Sequence, residues 1–490
     1  MIGTKEERRK IHITFFSIFA AVYFKDCIDM GIGMQILGFM ASLTFLVVTH
    51  ELGHFTFAKI FKTRVDQFYV FFNPGFSILK MKRFDGKFHF KFFATKSPDE
   101  WANHPEHTEW GIGWLPLGGY CSINGMVDET TKASELSSEV HDYEFRAKPA
   151  WQRFLIISGG VLVNFLSAII IYIAICFHWG QEYIPLENAR YGLEFSQEMQ
   201  DAGFQNGDKV LLINSTKPQT ISDFANDLLL DDVKTVTVER DGQQVVLDIP
   251  KTLARKVVGA GTSSMFCNYR IPFVIDSVMP GSKANEAGLQ RGDSLVSVND
   301  SLTFCFFDYK RAFDDNKDKP LAIQFYRGDS LCSTIVTPDS LGMIGVSYKQ
   351  PYEYFGTVKV EYGFFQSIPK GISMGFHTLA DYVKQFKIVF TKEGATQLGS
   401  FLTIGSIFPK VWDWYRFWNM TALLGIILAF MNIIPIPGLD GGYLLFILVE
   451  LITGRKPNDK FLGIANTIGF ILLIALMVYA IGLDIRRFFF

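Results

Sequence analysis

The stretch VVTHELGHFTFAKI, residues 47–60, sets two histidines and a glutamate inside a run that otherwise reads as oil. The apolar run that holds it reaches from about Gln35 to Ala58, close to the roughly 20 residues a bilayer-crossing helix needs. Ionisable groups at membrane depth are costly and normally carry function. On a helix, positions i and i+4 face the same way. His50 and His54 can therefore hold one metal ion between them, with Glu51 beside it as a general base. Leu52 keeps helix propensity, and Gly53 allows a neighbouring segment to come close.

Working outward, Phe154 to Phe177 and Phe461 to Leu483 are also near-continuously apolar. A fourth stretch, Trp418 to Val449, is apolar but broken by Asn432, Pro435, Pro437 and Asp440. Soluble helices are seldom apolar on every face, so the chain of 490 residues reads as a polytopic α-helical membrane protein. The net charge of −2 gives no support for a nucleic-acid partner. Lys59, Lys62 and Arg64 follow the first span, Arg146, Lys148 and Arg153 precede the second, and Arg455, Lys456 and Lys460 separate the last two. Positive loops stay inside, which predicts that residues 61–150 and 453–460 are cytoplasmic and 180–410 lie outside. Arg486 and Arg487 run against that rule. Ahead of the first span, Lys5, Arg8, Arg9 and Lys10 precede a short apolar run, Ile11 to Phe24. Residues 1–34 are read as an extension: either a short anchor, or the product of a start placed upstream of Met30 or Met34.

The outer segment contains a repeat. AGFQNGDKVLLINS at 202–215 and AGLQRGDSLVSVND at 287–300 share Ala-Gly, Gln, Gly-Asp and an alternating apolar strand. Each is followed by strand–turn–strand, with Asp241-Gly242 and Gly328-Asp329 as hairpin turns. Two copies of one small strand-rich domain follow. The copies, 181–255 and 265–350, resemble PDZ domains of the circularly permuted bacterial kind. That resemblance implies capture of an extended peptide by strand addition. The lead-in MPGSKANEAGL of the second copy has no match in the first, which reads RYGLEFSQEMQDAGF. Cys267, Cys305 and Cys332 in this segment are odd in number and suggest small buried side chains rather than a disulfide framework. Between 364 and 390, apolar residues from Phe365 to Phe390 recur at three- and four-residue steps. That gives one apolar face, destined for the membrane interface or for packing on the repeats.

A third ligand is available in NIIPIPGLDGG, 432–442, where Asp440 stands in an apolar span next to helix-breaking Pro435, Pro437 and Gly438. Two imidazoles and one carboxylate leave the fourth tetrahedral position of Zn2+ open for water, whose proton Glu51 can take. His89, His104, His107 and His141 fall in the polar loop without ligand spacing and read as surface residues.

Together, HELGH on the first main helix, two permuted PDZ copies and NxxPxPxLDGG near the C-terminus resemble the site-2 proteases, in their double-PDZ bacterial branch of the regulator-of-sigma-E protease type. The resemblance runs from about Gln35 to Leu483. It implies zinc held by His50, His54 and Asp440, Glu51 as catalytic base, and Asn432 positioning substrate or an oxyanion. It also implies a membrane-reentrant β element, matched by FYVFFNPGFSILKMKRFDGKFHFKFF at 68–93, with Asp85-Gly86 as its turn. EWGIGWLPLGGYCSINGMVDE at 109–129 resembles the glycine-rich segment that follows, and SGGVLVNF at 158–165 resembles a second-span motif with Asn164. LGSFLTIGSIF lacks the proline that the family carries before its third core span.

The expected architecture is therefore a first core span at 35–60 and a cytoplasmic loop with the reentrant β element at 61–150. A second span at 151–180, the two PDZ-like domains, an amphipathic region at 362–410, and spans at 416–452 and 461–484 follow. The expected activity is intramembrane cleavage of single-pass substrates in the bacterial cytoplasmic membrane: anti-sigma factors or remnant signal peptides. The alternative is a non-catalytic PDZ scaffold, binding periplasmic peptides, with a structural metal site. A metal transporter would need further acidic or histidine residues along the spans, and none suits.

Overall fold

The computed structural model of the chain describes residues 30–116, 118–126, 139–260, 266–456 and 458–489. The extension expected over residues 1–34 lies outside the described residues up to residue 29, as does the end of the glycine-rich stretch from residue 127 onward. The described residues form two units. The first comprises the residues up to Trp179 with Glu361–Val383 and Leu398–Phe490, the second Gly180–Val360 with Lys384–Gln397.

The first unit holds helices α1 (Met30–Ile60), α2 (Ala150–His178), α3 (Phe364–Val389) as far as Val383, α4 (Phe401–Ile407), α5 (Trp414–Ile433), α6 (Asp440–Thr453) and α7 (Asp459–Phe489). Four of them contain segments long and apolar enough to cross a membrane: Gly31–Ile60, Ala150–His178, Trp414–Ile433 and Phe461–Arg487. The protein is a multi-pass membrane protein with four candidate spans. Apolar helices in lipid gain little from side-chain burial alone, and small residues that let backbones approach become decisive. At the crossing of α1 and α2 a Cβ on Gly53 would stand 2.2 Å from the Gly159 carbonyl oxygen, so this contact needs glycine. Ala168, Ile171, Tyr172 and Ile175 of α2 close on Ala422 and Ile426 of α5. At the other end of α2, Ile156 and Ile157 pack with Leu444 and Ile447 of α6. An Arg153–Glu450 ion pair at 2.5 Å closes that contact.

The stretch expected as one span at 416–452 is two helices. α5 stops at Ile433 and α6 starts at Asp440, because Pro435 and Pro437 lack the N–H a continuing helix would need. In α3 the phenylalanine row faces outward: Phe365, Ile372 and Phe376 are exposed. The buried face is Ser367, Gly371 and Gly375, and a Cβ on Gly371 would meet Ile173 of α2 at 2.5 Å. Small residues thus dock the helix beside Met374 and Leu379, and Phe365, Ile372 and Phe376 are left exposed. Arg487 also finds its reason. It pairs at 3.3 Å with Asp484, which is fully buried and accepts from the backbone and hydroxyls of Ser400 and Thr403 at the start of α4.

Between α1 and α2 lies a five-stranded sheet of β1 (Val65–Val70), β2 (Ser77–Phe84), β3 (Lys87–Ala94), β4 (Glu109–Ile112) and β5 (Tyr120–Ile123), ordered β3-β2-β4-β1-β5. Asp85 and Gly86 both take positive φ in the β2–β3 turn, as a two-residue hairpin of this type demands. Phe88, Phe90 and Phe92 stand exposed along the edge strand β3.

The second unit contains two hydrophobic cores, one from Leu186 to Cys267 and one from Phe273 to Ile344. The strand Cys267–Tyr269 pairs with Leu193–Phe195, and Cys267 belongs to the first core. The repeat extends to individual bonds. Asp208 binds Arg240, whose guanidinium also donates to the Gly203 carbonyl. Asp293 binds Arg327, which donates likewise to Gly288. Both aspartates are buried and both accept from a backbone N–H three residues earlier, of Gln205 and Gln290.

Candidate metal centre

Among the described residues, His50, His54 and Asp440 form the group whose ligating atoms converge, all lying within 4.8 Å of one another. The two histidines come from one face of α1 by the i, i+4 spacing, their rings 4.7 Å apart and nearly perpendicular at 86°. Asp440 arrives from the break after α5. Gly438 turns the chain at φ +95. A Cβ on Gly441 would stand 2.2 Å from the Ile434 carbonyl oxygen, and one on Gly442 2.6 Å from that of Ile436. The two glycines after Asp440 therefore let the helix start fold tightly under the extended segment, which aims the carboxylate at α1.

The three ligating atoms make a small triangle. His50 Nε2 lies 3.1 Å from Asp440 Oδ2, His54 Nε2 lies 3.4 Å from it, and the two Nε2 atoms are 3.1 Å apart. His54 Nδ1 faces the Ile156 carbonyl oxygen at 3.0 Å. A carbonyl only accepts, so Nδ1 carries the proton and Nε2 presents its lone pair. Asp440 Oδ2 is buried and receives no hydrogen bond from the described residues. Ligand atoms of two imidazoles converging on a buried carboxylate oxygen that accepts no hydrogen bond have the make-up of a cation's donor set. At zinc bond lengths near 2.0–2.1 Å, tetrahedral ligands stand about 3.3 Å apart, and the observed triangle matches. The residues present fit zinc.

Residues 38–476 match the family model of Peptidase family M50. The chain belongs to this family. Members are zinc metalloproteases, and the chain is similar over almost its whole length to named proteases. Regulator of sigma-E protease RseP of Escherichia coli is 26% identical over 473 residues, covering 92% of this chain and 98% of that protein. Protease RseP of Yersinia pestis is 26% identical over 492 residues, covering 94% and 100%. Regulator of sigma-E protease RseP of Salmonella typhimurium is 26% identical over 487 residues, again covering 94% and 100%.

Within this family member the sequence-expected residues are placed as follows. His50, His54 and Asp440 are brought together. Glu51, beside His50 on α1, is partly exposed. Asn432 lies in the last turn of α5, eight residues ahead of Asp440, and is not part of the converging group. Of the loop histidines, His89 and His104 stack on the two faces of Phe84 at 3.8 and 4.2 Å, and His107 pairs with Glu106, so they serve the loop and not the centre. The main contribution not anticipated is that of α2. Besides the Ile156 carbonyl, Gly160 lies against the site so closely that a Cβ there would stand 2.6 Å from both His50 Cε1 and His54 Nε2. A backbone carbonyl leaves no signature in a sequence. The glycine pair in SGGVLVNF did, as a mark of close approach.

Proposed function

We propose that the protein is an intramembrane endopeptidase that cuts single-pass membrane proteins within or beside their transmembrane segment. What carries this reading is the open donor triangle of His50, His54 and Asp440, with the carboxylic side chain of Glu51 next to it on the same helix. A structural zinc site would be closed by a fourth protein ligand, and Glu51 would have no task in a scaffold. Zinc held by the three residues would supply Lewis-acid polarisation of the scissile carbonyl. His54, fixed by Ile156, and Asp440, fixed by the turn at Gly438, would hold their ligand atoms in place through the reaction. Glu51 would take the proton of the attacking water on its carboxylate and pass it to the leaving amide nitrogen. Asn432, at the end of α5, would orient the substrate carbonyl.

The edge strand β3 would receive the substrate as an added strand, unwinding its helix so that its peptide bonds become reachable. By likeness to the regulators of sigma-E protease, the clients would be a membrane-bound anti-sigma factor already trimmed outside, or remnant signal peptides. The protein would sit in the bacterial cytoplasmic membrane with the two repeat domains, of PDZ type, on the periplasmic side as a size filter. The test is cleavage of a tagged single-pass substrate in membranes by the intact protein and by Glu51→Gln, with bound zinc measured in both. We expect zinc to be retained in the variant and cleavage to fall by about 100-fold or more. If neither protein cuts trimmed substrates although both hold zinc, the scaffold reading replaces this one.

A further inference from the structure

His54 has its back nitrogen fixed by the Ile156 carbonyl. His50 needs an equivalent partner on Nδ1 if its Nε2 is to present a lone pair to Asp440 and His54. The side chain at that place is Asn164 of α2, 1% exposed, whose amide lies 3.5 Å from His50 Nδ1 through the atom assigned as Nδ2. Its other amide atom, assigned as Oδ1, lies 3.0 Å from Thr49 Oγ1. Thr49 Oγ1 is also 3.0 Å from the Leu46 carbonyl oxygen.

The zinc reading, taken with the proton count, decides the amide orientation. A hydroxyl has one proton, and Leu46 O can do nothing but accept. His50 Nε2 presents a lone pair only when Nδ1 carries the proton, so Asn164 turns its oxygen toward His50; Thr49 then gives its one proton to Leu46 and offers Asn164 a lone pair. The amide nitrogen belongs on the Thr49 side and the oxygen on the His50 side, an exchange that leaves every heavy-atom position unchanged, since amide ends are assigned from their partners. His50 Nδ1–H then donates to Asn164 Oδ1, and all three groups are satisfied in one arrangement.

We propose that Asn164 is a positioning residue for the metal centre, holding His50 in the tautomer whose Nε2 can bind a cation. The inference rests on the zinc reading above. It makes α2 the support of both imidazoles while contributing no ligand itself: Ile156 serves His54, and Asn164, more than two helical turns further along, serves His50. Partners of this kind typically change metal affinity by about 10–100-fold when removed. Thr49 holds the amide in turn, so its loss acts one step further from the metal and more weakly.

The experiment compares full-length protein in detergent with Asn164→Leu, Asn164→Asp and Thr49→Val. Zinc affinity is read by competition with a chromophoric chelator, and the ligand field by absorption of the cobalt(II)-loaded protein. Asn164→Leu removes the acceptor at nearly constant volume and is expected to weaken zinc by about 10–100-fold. Asn164→Asp keeps an acceptor oxygen toward His50 and should remain within about threefold of the parent, with its cobalt spectrum unchanged; Thr49→Val should fall between. Equal weakening in Asn164→Leu and Asn164→Asp would reduce Asn164 to a packing residue, and unchanged affinity in Asn164→Leu would remove it from the centre; either overturns the proposal. Should Asn164→Leu not accumulate in membranes, Asn164→Asp still decides, because loss of zinc in a folded Asn164→Asp protein contradicts the acceptor role. A parent protein that binds no zinc would instead sink the zinc reading itself, an outcome distinct from all of these.

Discussion

Replacing Gly160 by alanine places one methyl group into the metal centre from a helix that contributes no ligand. The added Cβ would stand 2.6 Å from His50 Cε1, 2.6 Å from His54 Nε2 and 2.8 Å from His50 Nδ1. Carbon atoms rest at about 3.5–4.0 Å from their neighbours, so the rings and the methyl must separate by about 1 Å. The helices cannot take up that distance cheaply, since Gly53 and Gly159 already meet backbone to backbone on the same crossing. His54 is tethered to Ile156 and cannot swing away without breaking that hydrogen bond. Zinc ligands must hold their distances to within about 0.2 Å. Zinc affinity of Gly160→Ala is therefore expected to fall by at least about 100-fold, or about 2.8 kcal/mol, with cleavage falling alongside. The assay is chelator competition on purified protein, beside Gly463→Ala as a control, because a Cβ at Gly463 meets nothing within 4 Å. Gly160→Ala protein that binds zinc within threefold of the parent would refute the reasoning.

Two further expectations concern the second unit. Arg327→Leu leaves the Asp293 carboxylate, 1% exposed, without its cation. The second copy should lose about 2–4 kcal/mol, below the range of fully buried pairs because the guanidinium is partly exposed. Hydrogen exchange on the full-length protein should show lost protection over residues 273–348, and unchanged protection there would contradict the role of the pair. Burial pushes the Cys267 thiol up to about 12 and the Cys305 thiol up to about 11. At pH 8 both are almost wholly in the unreactive thiol form, so a maleimide should label partly exposed Cys332 well before either. Early labelling of Cys305 would show that its pocket opens.

How far the sequence spoke for itself depended on whether a residue's partner lay nearby in the chain. The His50–His54 pair is local, fixed by helical spacing, and was readable at once. Asp440 was readable because a carboxylate in an apolar span needs a reason. The Asp85-Gly86 and Asp241-Gly242 turns follow from the φ values such turns require, and both take positive φ. Orientation of a face was harder. The phenylalanine row of α3 marked an apolar stripe, yet periodicity does not say whether lipid or protein covers it. Ser367, Gly371 and Gly375 turned out to be the docking face. Arg487 read as a breach of the charge rule because its partner, Asp484, acts in company with Ser400 and Thr403, some eighty residues away. The repeat hides its Asp208–Arg240 and Asp293–Arg327 pairs in plain view: each arginine closes the strand before the hairpin turn, and its aspartate lies more than thirty residues earlier.

The centre illustrates how polar geometry is held at membrane depth without a polar core. Each close approach around it is made by glycine: Gly53 with Gly159 between α1 and α2, Gly160 beside the imidazoles, Gly441 and Gly442 under the extended segment. The same device braces the break. A Cβ on Gly469 of α7 would stand 1.6 Å from the Pro437 carbonyl oxygen, so α7 lies directly against the non-helical backbone. Irregular backbone survives at this depth where protein covers it, and here the cover is a helix whose glycine admits the carbonyl. The donor triangle of 3.1–3.4 Å thus sits among backbones held at close approach. That arrangement predicts a hierarchy. Enlarging a glycine at a crossing should damage zinc binding at least as much as removing a partner such as Asn164, although no glycine belongs to the donor triangle.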